Sequence, residues 1–456
     1  MASPTFTFLN HASFMVRTES ALLLADPWLE GTVLDGAWSL ADPSTSSAAL
    51  IAELNSCGLP VYVWCSRATP DRLSLPFLRS FKADFRGIAT FLYRQGRDWR
   101  LADELRRQRL ALAECKDGQP LALGKDLRLT AFANGDADSW CLVQAGRRSI
   151  LHLGERALGT RAACARAAVQ LRRRAARIDL LLSGFADMAW CGNPDQFALR
   201  EEAAAKGIAR LALQIEVFRP RLVVPVAAFA RFARADNAWL NHGRRSPAGV
   251  VDAPQLETAR PLIRFLAPGG AIDLEQDSAA SLGARSEAAL AHWSACWRAA
   301  PAPLPRPPDA GLAELRAAFQ KYRERAGASL HGLPRLLETV GALRPLAIQL
   351  ADARQTVELS YRRGFRLLAR DGPADVAMCS GTALKLLKAE DGFDTAWAGG
   401  CFWELRPGGR PAFARFFLPQ RMARRGLDRR RPLAMARLML RAVLARMARE
   451  VQAALR

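Results

Sequence analysis

Several enzyme classes are excluded by what this sequence lacks. No Cys-x-x-Cys pair occurs among its nine cysteines, Cys57, Cys65, Cys115, Cys141, Cys164, Cys191, Cys296, Cys379 and Cys401. An odd count without paired spacing argues against a disulfide framework or a zinc knuckle, and fits a reducing compartment. No Gly-x-Gly-x-x-Gly follows a strand pattern, and no Gly-x-x-x-x-Gly-Lys-Ser/Thr loop or Gly-x-Ser-x-Gly elbow is present. Phosphate-cradling nucleotide loops and the strained serine elbow are therefore unsupported. The start, MASPTFTFLNHASF, has no basic region ahead of a long apolar run, so no secretory signal is expected. No uncharged apolar stretch approaches the ~20 residues that cross a bilayer. Aromatic residues make up 8% of the chain without basic-aromatic interleaving, which speaks against a stacking surface for nucleic acid. A cytoplasmic protein is expected.

What is present is length and positive charge. At ~150 residues per domain, 456 residues suggest two or three domains. Half of the residues are hydrophobic, enough for a sizeable core without staples. The net charge of +21 favours polyanionic neighbours. Scarce lysine beside abundant arginine and alanine also fits a compositional bias, which halves the weight of that charge.

Short apolar runs closed by turn residues predict strands at Thr5–Leu9, Ala21–Ala25, Pro60–Cys65, Leu127–Phe132, Trp140–Gln144, Ser149–Leu153, Ile178–Ser183 and Arg221–Val226. Helical spacing occupies Ser46–Asn55, Leu101–Arg109, Gly159–Ala176 and Gln196–Phe218. Strands in runs that later alternate with helices predict a mixed sheet with helices outside. Ala300–Pro308 reads APAPLPRPP, the composition of a semi-rigid spacer. The expected organisation is a first domain over 1–275, a linker over 276–310 and a smaller α+β domain over 311–456.

The segment Val61–Ser74, VYVWCSRATPDRLS, runs from a strand into a loop at which Pro70-Asp71 can begin a helix. Here the chain resembles the metallo-β-lactamase superfamily, whose signature is a strand followed by His-x-His-x-Asp-His. The resemblance extends to Asn10-His11-Ala12-Ser13-Phe14, to Leu22–Asp26 with Pro27-Trp28-Leu29, and to Gly31-Thr32 and Gly36–Leu40. Ile178–Asp195, Leu222–Asn241 and Asp375–Glu404 add to it. It points to the branch of ascorbate-phosphate lactonases and the β-lactamase-like part of CMP-sialic acid hydroxylases. It implies an αββα sandwich over the first domain and a carbohydrate-related role. The Rieske cluster of the hydroxylases needs Cys-x-His and Cys-x-x-His pairs, and neither occurs.

In that family, two metals held by the signature activate a water for hydrolysis. Here Arg67, Thr69, Asp71 and Arg72 stand at its positions, so only the aspartate remains. Glu155, in Leu151-His152-Leu153-Gly154-Glu155, falls where a bridging carboxylate is expected. Arginine stays protonated and opposes a dication. The reading is a lost metal site, with Arg67 and Arg72 paired to Asp71 and Glu155, and no metal or cofactor. The alternative is a hydrolase with a remodelled site using His152, Asp71, Glu155 or His242. Arg67, Arg72, Asp71, Glu155, His152 and His242 are the expected ligand-binding residues, and no catalytic residue is named. The ligand class is an anionic small molecule, a phosphosugar or sugar nucleotide, or else the protein is a scaffold in carbohydrate or surface-glycan metabolism. His11, His292 and His331 read as structural or solvated.

The stretch Arg421–Arg456 carries eleven arginines against Asp428 and Glu450. From Pro432 it reads as a helix with an apolar stripe and basic flanks. Docking on its own domain is the plain reading. Contact with an anionic membrane surface, on the inner face, is the second. Nucleic acid is not an expected partner.

Overall fold

The computed structural model describes residues 3–425, except 97, 136–137, 300 and 370–371, together with Leu433. The helix expected from Pro432 onward lies, but for Leu433, outside the described residues. The chain divides into two compact units. One comprises Met1–Pro305 with Ala398–Gly400, the other Arg306–Trp397 with Cys401–Arg456.

In the first unit the strands are β1 (Thr5–Asn10), β2 (Ser13–Arg17), β3 (Leu22–Ala25), β4 (Thr32–Val33), β5 (Trp38–Leu40), β6 (Val61–Trp64), β7 (Ala89–Tyr93), β8 (Leu112–Glu114), β9 (Pro120–Ala122), β10 (Leu127–Asn134), β11 (Asp138–Ala145), β12 (Arg148–Gly154), β13 (Leu180–Ser183), β14 (Leu222–Pro225), β15 (Ala230–Phe232) and β16 (Ala271–Asp273). A seven-stranded sheet has the order β16-β1-β2-β3-β6-β7-β8, and a six-stranded sheet the order β14-β13-β12-β11-β10-β9. Strands β15, β5 and β4 make a small third sheet. Each large sheet changes character along its width. Pairing is antiparallel up to β3 and parallel from β3 through β6 and β7 to β8. It is antiparallel up to β12 and parallel through β13 to β14. Parallel neighbours put their carboxyl ends side by side, and the polar residues of interest gather there.

The period-2 alternation of these strands explains the layers. Phe6, Phe8, Phe14, Val16 and Leu23 of the first sheet share one core with Leu129, Cys141, Val143 and Leu151 of the second. The opposite face of the first sheet presents Leu9, Met15, Leu22, Leu24, Val61 and Val63 to α1 (Ser47–Ser56), α2 (Leu75–Asp84) and α3 (Arg100–Arg107). Beyond the second sheet lie α4 (Arg161–Arg172) and α5 (Phe197–Phe218), which supply Cys164, Leu171, Ile208 and Leu211. This is the expected αββα order. Serine and threonine caps start α1, α2 and α4, where the side chains of Ser46, Ser74 and Thr160 accept from a backbone N–H of the first turn.

The first unit continues past the boundary expected at 275. After α6 (Pro247–Val251) comes α7 (Gly283–Arg298), within the segment read as linker. Its Ala289 and Trp293 belong to the main core, and Trp293 donates its indole N–H to the Leu266 carbonyl at 2.8 Å. Burying one tryptophan fixes the helix to the domain, and the proline-rich stretch after it pairs back at Leu304, in a bridge to Arg234.

The second unit is a five-stranded sheet in the order β19-β18-β17-β20-β21. Its strands are β17 (Leu346–Leu350), β18 (Gln355–Ser360), β19 (Gly364–Leu367), β20 (Val376–Met378) and β21 (Trp403–Glu404), with helices α8 (Leu312–Ser329), α9 (Leu333–Thr339) and α10 (Ser380–Lys388) among them. Asp352 accepts the Ser380 N–H at 2.8 Å and so satisfies the start of α10. The α+β expectation for this part agrees with these elements.

Candidate functional site

The first unit brings four loop segments together at strand ends. Asp26 follows β3, Ser66 and Arg67 follow β6, Glu155 follows β12, and His11 sits in the turn between β1 and β2. The two short motifs near the amino terminus hold one another. Ser13 Oγ donates to the Asp26 carbonyl at 2.7 Å and accepts the Trp28 N–H at 2.9 Å. His11 and Asp26 both have positive φ, 42° and 46°. His and Asp tolerate that region better than most residues, yet such positions need support from their surroundings. The Ala227 N–H donated to the His11 carbonyl at 2.6 Å supplies some of it.

The side chains then form one connected network of charges. Arg67 Nη2 lies 3.0 Å from Glu155 Oε2 and 3.3 Å from Asp71 Oδ2, and Nη1 lies 4.0 Å from Asp138 Oδ2. Its Nε donates to Thr69 Oγ1 at 2.8 Å. Arg72 Nε donates to Asp71 Oδ2 at 3.0 Å, and Nη1 reaches Asp26 Oδ2 at 3.5 Å. Asp26 also accepts the backbone N–H and the hydroxyl of Ser66, at 2.8 and 2.7 Å. The second oxygen of Glu155 accepts the Met188 N–H at 2.6 Å. Arg72, Asp71 and Asp26 are buried, while Arg67 keeps 18% of its side chain exposed.

The electrostatics follow from burial set against pairing. Burial opposes the charge of Asp71, but Arg67 and Arg72 hold its carboxyl below the usual range. Glu155 is likewise depressed, as Arg156, Arg67 and Arg72 outweigh its desolvation. Asp26 goes the other way. Burial pushes it up to about 6, more than Arg72 and the Ser66 hydrogen bonds pull it down. His11 and His152 are lowered to about 3, by burial first and then by Arg72. Both rings are neutral at pH 7.

The expected residues separate into those the fold assembles and those it does not. Arg67, Arg72, Asp71 and Glu155 meet. His152 is buried on β12 with its ring 4.9 Å from that of Phe14, and neither ring nitrogen has a hydrogen-bond partner. His242 is exposed after a short 3-10 turn, and its hydrogen bond among the described residues is a backbone one to Trp239. Sequence reasoning gave no role to Asp26 or Asp138, and read His11 as merely structural. His11 Nε2 is in fact 3.9 Å from Asp71 Oδ2.

A pair of divalent metals does not fit this donor set. Metal–oxygen bonds of ~2.0–2.2 Å would need the same carboxylate oxygens that Arg67 and Arg72 already engage. A guanidinium offers only N–H donors and no lone pair. In a metal's favour stand two buried imidazoles: among the described residues, both nitrogens of His152 and Nδ1 of His11 are unpartnered.

No family model matches the chain, and no curated protein matches it. Solved structures give weak likenesses. CmlA, a diiron beta-hydroxylase from Streptomyces venezuelae, is 12% identical at a TM-score of 0.41, over 60% of this chain and 54% of that one. The match therefore spans about half the length of CmlA. Igni18, a metallo hydrolase from Ignicoccus hospitalis, is 14% identical at 0.38, over 59% and 98%. YhfI from Bacillus subtilis, a metallo-beta-lactamase fold protein, is 10% identical at 0.35, over 59% and 100%. Scores this low carry neither family membership nor activity to this chain, so its architecture stands on its own topology: two mixed sheets face to face, helices outside, and a charged cluster at the strand ends.

Proposed function

We propose that this protein is a metallo-β-lactamase-fold protein in which an internal ion-pair cluster stands in place of the hydrolytic metal centre. It acts by binding or scaffolding and not by hydrolysis. The observation that carries this reading is the Arg67 guanidinium, placed between Glu155 and Asp71 and facing Asp138. A fixed cation there supplies the countercharge that a metal would supply, but it cannot ionise a water or polarise a carbonyl as a Lewis acid does. The carboxylates of the cluster are engaged by guanidiniums, and the neutral imidazole of His11 beside Asp71 is buried.

The carbohydrate link comes from the sequence resemblance alone, and fold likeness does not name a ligand. The anionic-ligand expectation required positive charge left over after pairing. Arg72 is buried and shared between Asp71 and Asp26, and Arg67 faces three carboxylates. A phosphosugar would therefore meet the exposed edge of Arg67 and, beside Glu155, the half-exposed Arg156. This weakens the ligand reading and favours the scaffold reading. The remodelled hydrolase retains the support of the unpartnered nitrogens of His152 and His11.

The test is whether any bound metal depends on Asp71. Protein purified without chelator and its Asp71→Asn variant should contain equal metal, and neither should hydrolyse phosphate esters or lactones. Stoichiometric metal that disappears in Asp71→Asn would overturn the proposal and establish the hydrolase.

A further inference from the structure

His292 and Cys296 lie one turn apart on α7, a spacing that places both on one face of the helix. The helix cannot rotate freely about its axis. Trp293 is fully buried, and Ser286 Oγ accepts the Phe265 N–H at 2.9 Å. Opposite this face stands Asp42, two residues beyond the end of β5 and 3% exposed. Its Oδ1 accepts the Ser44 N–H at 2.8 Å, and its carbonyl accepts from Asn10 Nδ2 at 2.8 Å. Those bonds orient the other oxygen. Asp42 Oδ2 is 2.8 Å from His292 Nε2, and Cys296 Sγ is 3.6 Å from the same nitrogen.

The three donor atoms all lie within 4.8 Å of one another. In tetrahedral zinc, bonds of ~2.0–2.3 Å place donor atoms roughly 3.3–3.8 Å apart. The nitrogen–sulfur spacing already has that value, and the oxygen–nitrogen spacing needs to open by about half an ångström. The pattern differs from a nucleophile triad. In a triad the carboxylate holds one imidazole nitrogen and the thiol faces the other. Here carboxylate and thiol converge on one nitrogen, which cannot serve both, whereas a metal would accept all three. One oxygen, one imidazole and one thiolate suit zinc or cobalt better than magnesium or calcium. His292 is 38% exposed, so solvent can reach a fourth position.

We propose that Asp42, His292 and Cys296 form a zinc site with three protein donors and a water, separate from the charged cluster at the strand ends. Binding replaces the thiol proton by the metal and releases that proton to solvent. Carboxylate and thiolate together neutralise the dication. The Arg231 guanidinium, bonded to the Cys296 carbonyl, is the opposing charge nearby. The site pins α7 to the loop after β5, which join sequence positions 250 residues apart.

The experiment uses the full chain, stripped with chelator and titrated with cobalt(II), then with zinc(II) by calorimetry. One cobalt per chain should bind, with a thiolate-to-cobalt charge-transfer band and intense visible bands of a tetrahedral centre. Cys296→Ser should remove the charge-transfer band, with the circular dichroism of the parent. His292→Gln should weaken zinc at least about tenfold, and it serves as the deciding variant if Cys296→Ser does not fold. Asp71→Asn should leave the titration unchanged, which separates this site from the strand-end cluster. Absence of the band in the parent, its persistence in Cys296→Ser, or an unchanged zinc affinity in His292→Gln would overturn the proposal.

Discussion

Among the described residues of the first unit, the strand-end cluster and the group beside α7 differ in what their donors are already doing. At the strand ends, Asp26, Asp71 and Glu155 are buried and face two guanidiniums. Beside α7, fewer acidic groups are present, but three donor atoms of different chemistry point at one place close to solvent. The number of carboxylates is a poor guide to metal binding. What matters is whether their oxygens are committed to a cation the chain carries itself.

Breaking the first cluster should have the largest effect. Arg72→Ala leaves Asp71 and Asp26 buried with less compensation and should cost ~3–5 kcal/mol in denaturant unfolding. A loss under 1 kcal/mol would mean the pair is not buried as described. Arg67→Ala should cost less, about 1–3 kcal/mol, because its partially exposed side chain leaves carboxylates that water can reach.

A pH titration sharpens the contrast further. His11 and His152 have folded pKa values near 3, below their ordinary 6.5. The unfolded chain binds more protons there, so their contribution is complete above 6.5 and is lost as pH falls towards 3. Asp26, raised to about 6 from 3.8, acts with opposite sign. Its burial costs stability as pH rises through that window, so it offsets one of the histidines. His152→Phe should therefore flatten the acid limb by on the order of 1 kcal/mol per pH unit. An unchanged slope would show that His152 is not held neutral by the fold.

The smallest effect is expected at the second cluster without metal. Asp42→Asn in chelator should change stability by less than about 1 kcal/mol, since the His292 side chain is partly in water. With zinc in hundredfold excess over Kd, the parent alone should gain ~2.7 kcal/mol. Equal gains in parent and variant would detach Asp42 from the site.

Much of the first unit's skeleton was legible in the sequence. Runs such as Leu127–Phe132 and Ile178–Ser183 are bounded by turn residues, and they fall on β10 and β13. Strand β2 was not read because only His11 and Ala12 separate it from β1. The pairing of Arg67 and Arg72 with Asp71 and Glu155 was readable from one loop motif and one later turn. Asp138 and Met188 were not: Asp138 meets Arg67 only because the two sheets face each other, and Met188 meets Glu155 because β12 and β13 end side by side. The helix Gly283–Arg298 was read as linker, since the proline run after it outweighed Trp293, whose burial no local pattern reports. Asp42 and His292 illustrate the limit. Each is unremarkable alone, and 250 residues of chain separate the bonded pair.

Asp71 accepts from both Arg67 and Arg72 through a single oxygen, Oδ2. That sharing constrains substitution at both arginines. Changing either arginine alone leaves buried charge unmatched, so each single substitution passes through a less stable protein. The two positions are epistatic. In a double-mutant cycle they should couple by ~0.5–3 kcal/mol, as residues in one network do. Replacing this arrangement without loss of stability therefore requires several substitutions at once.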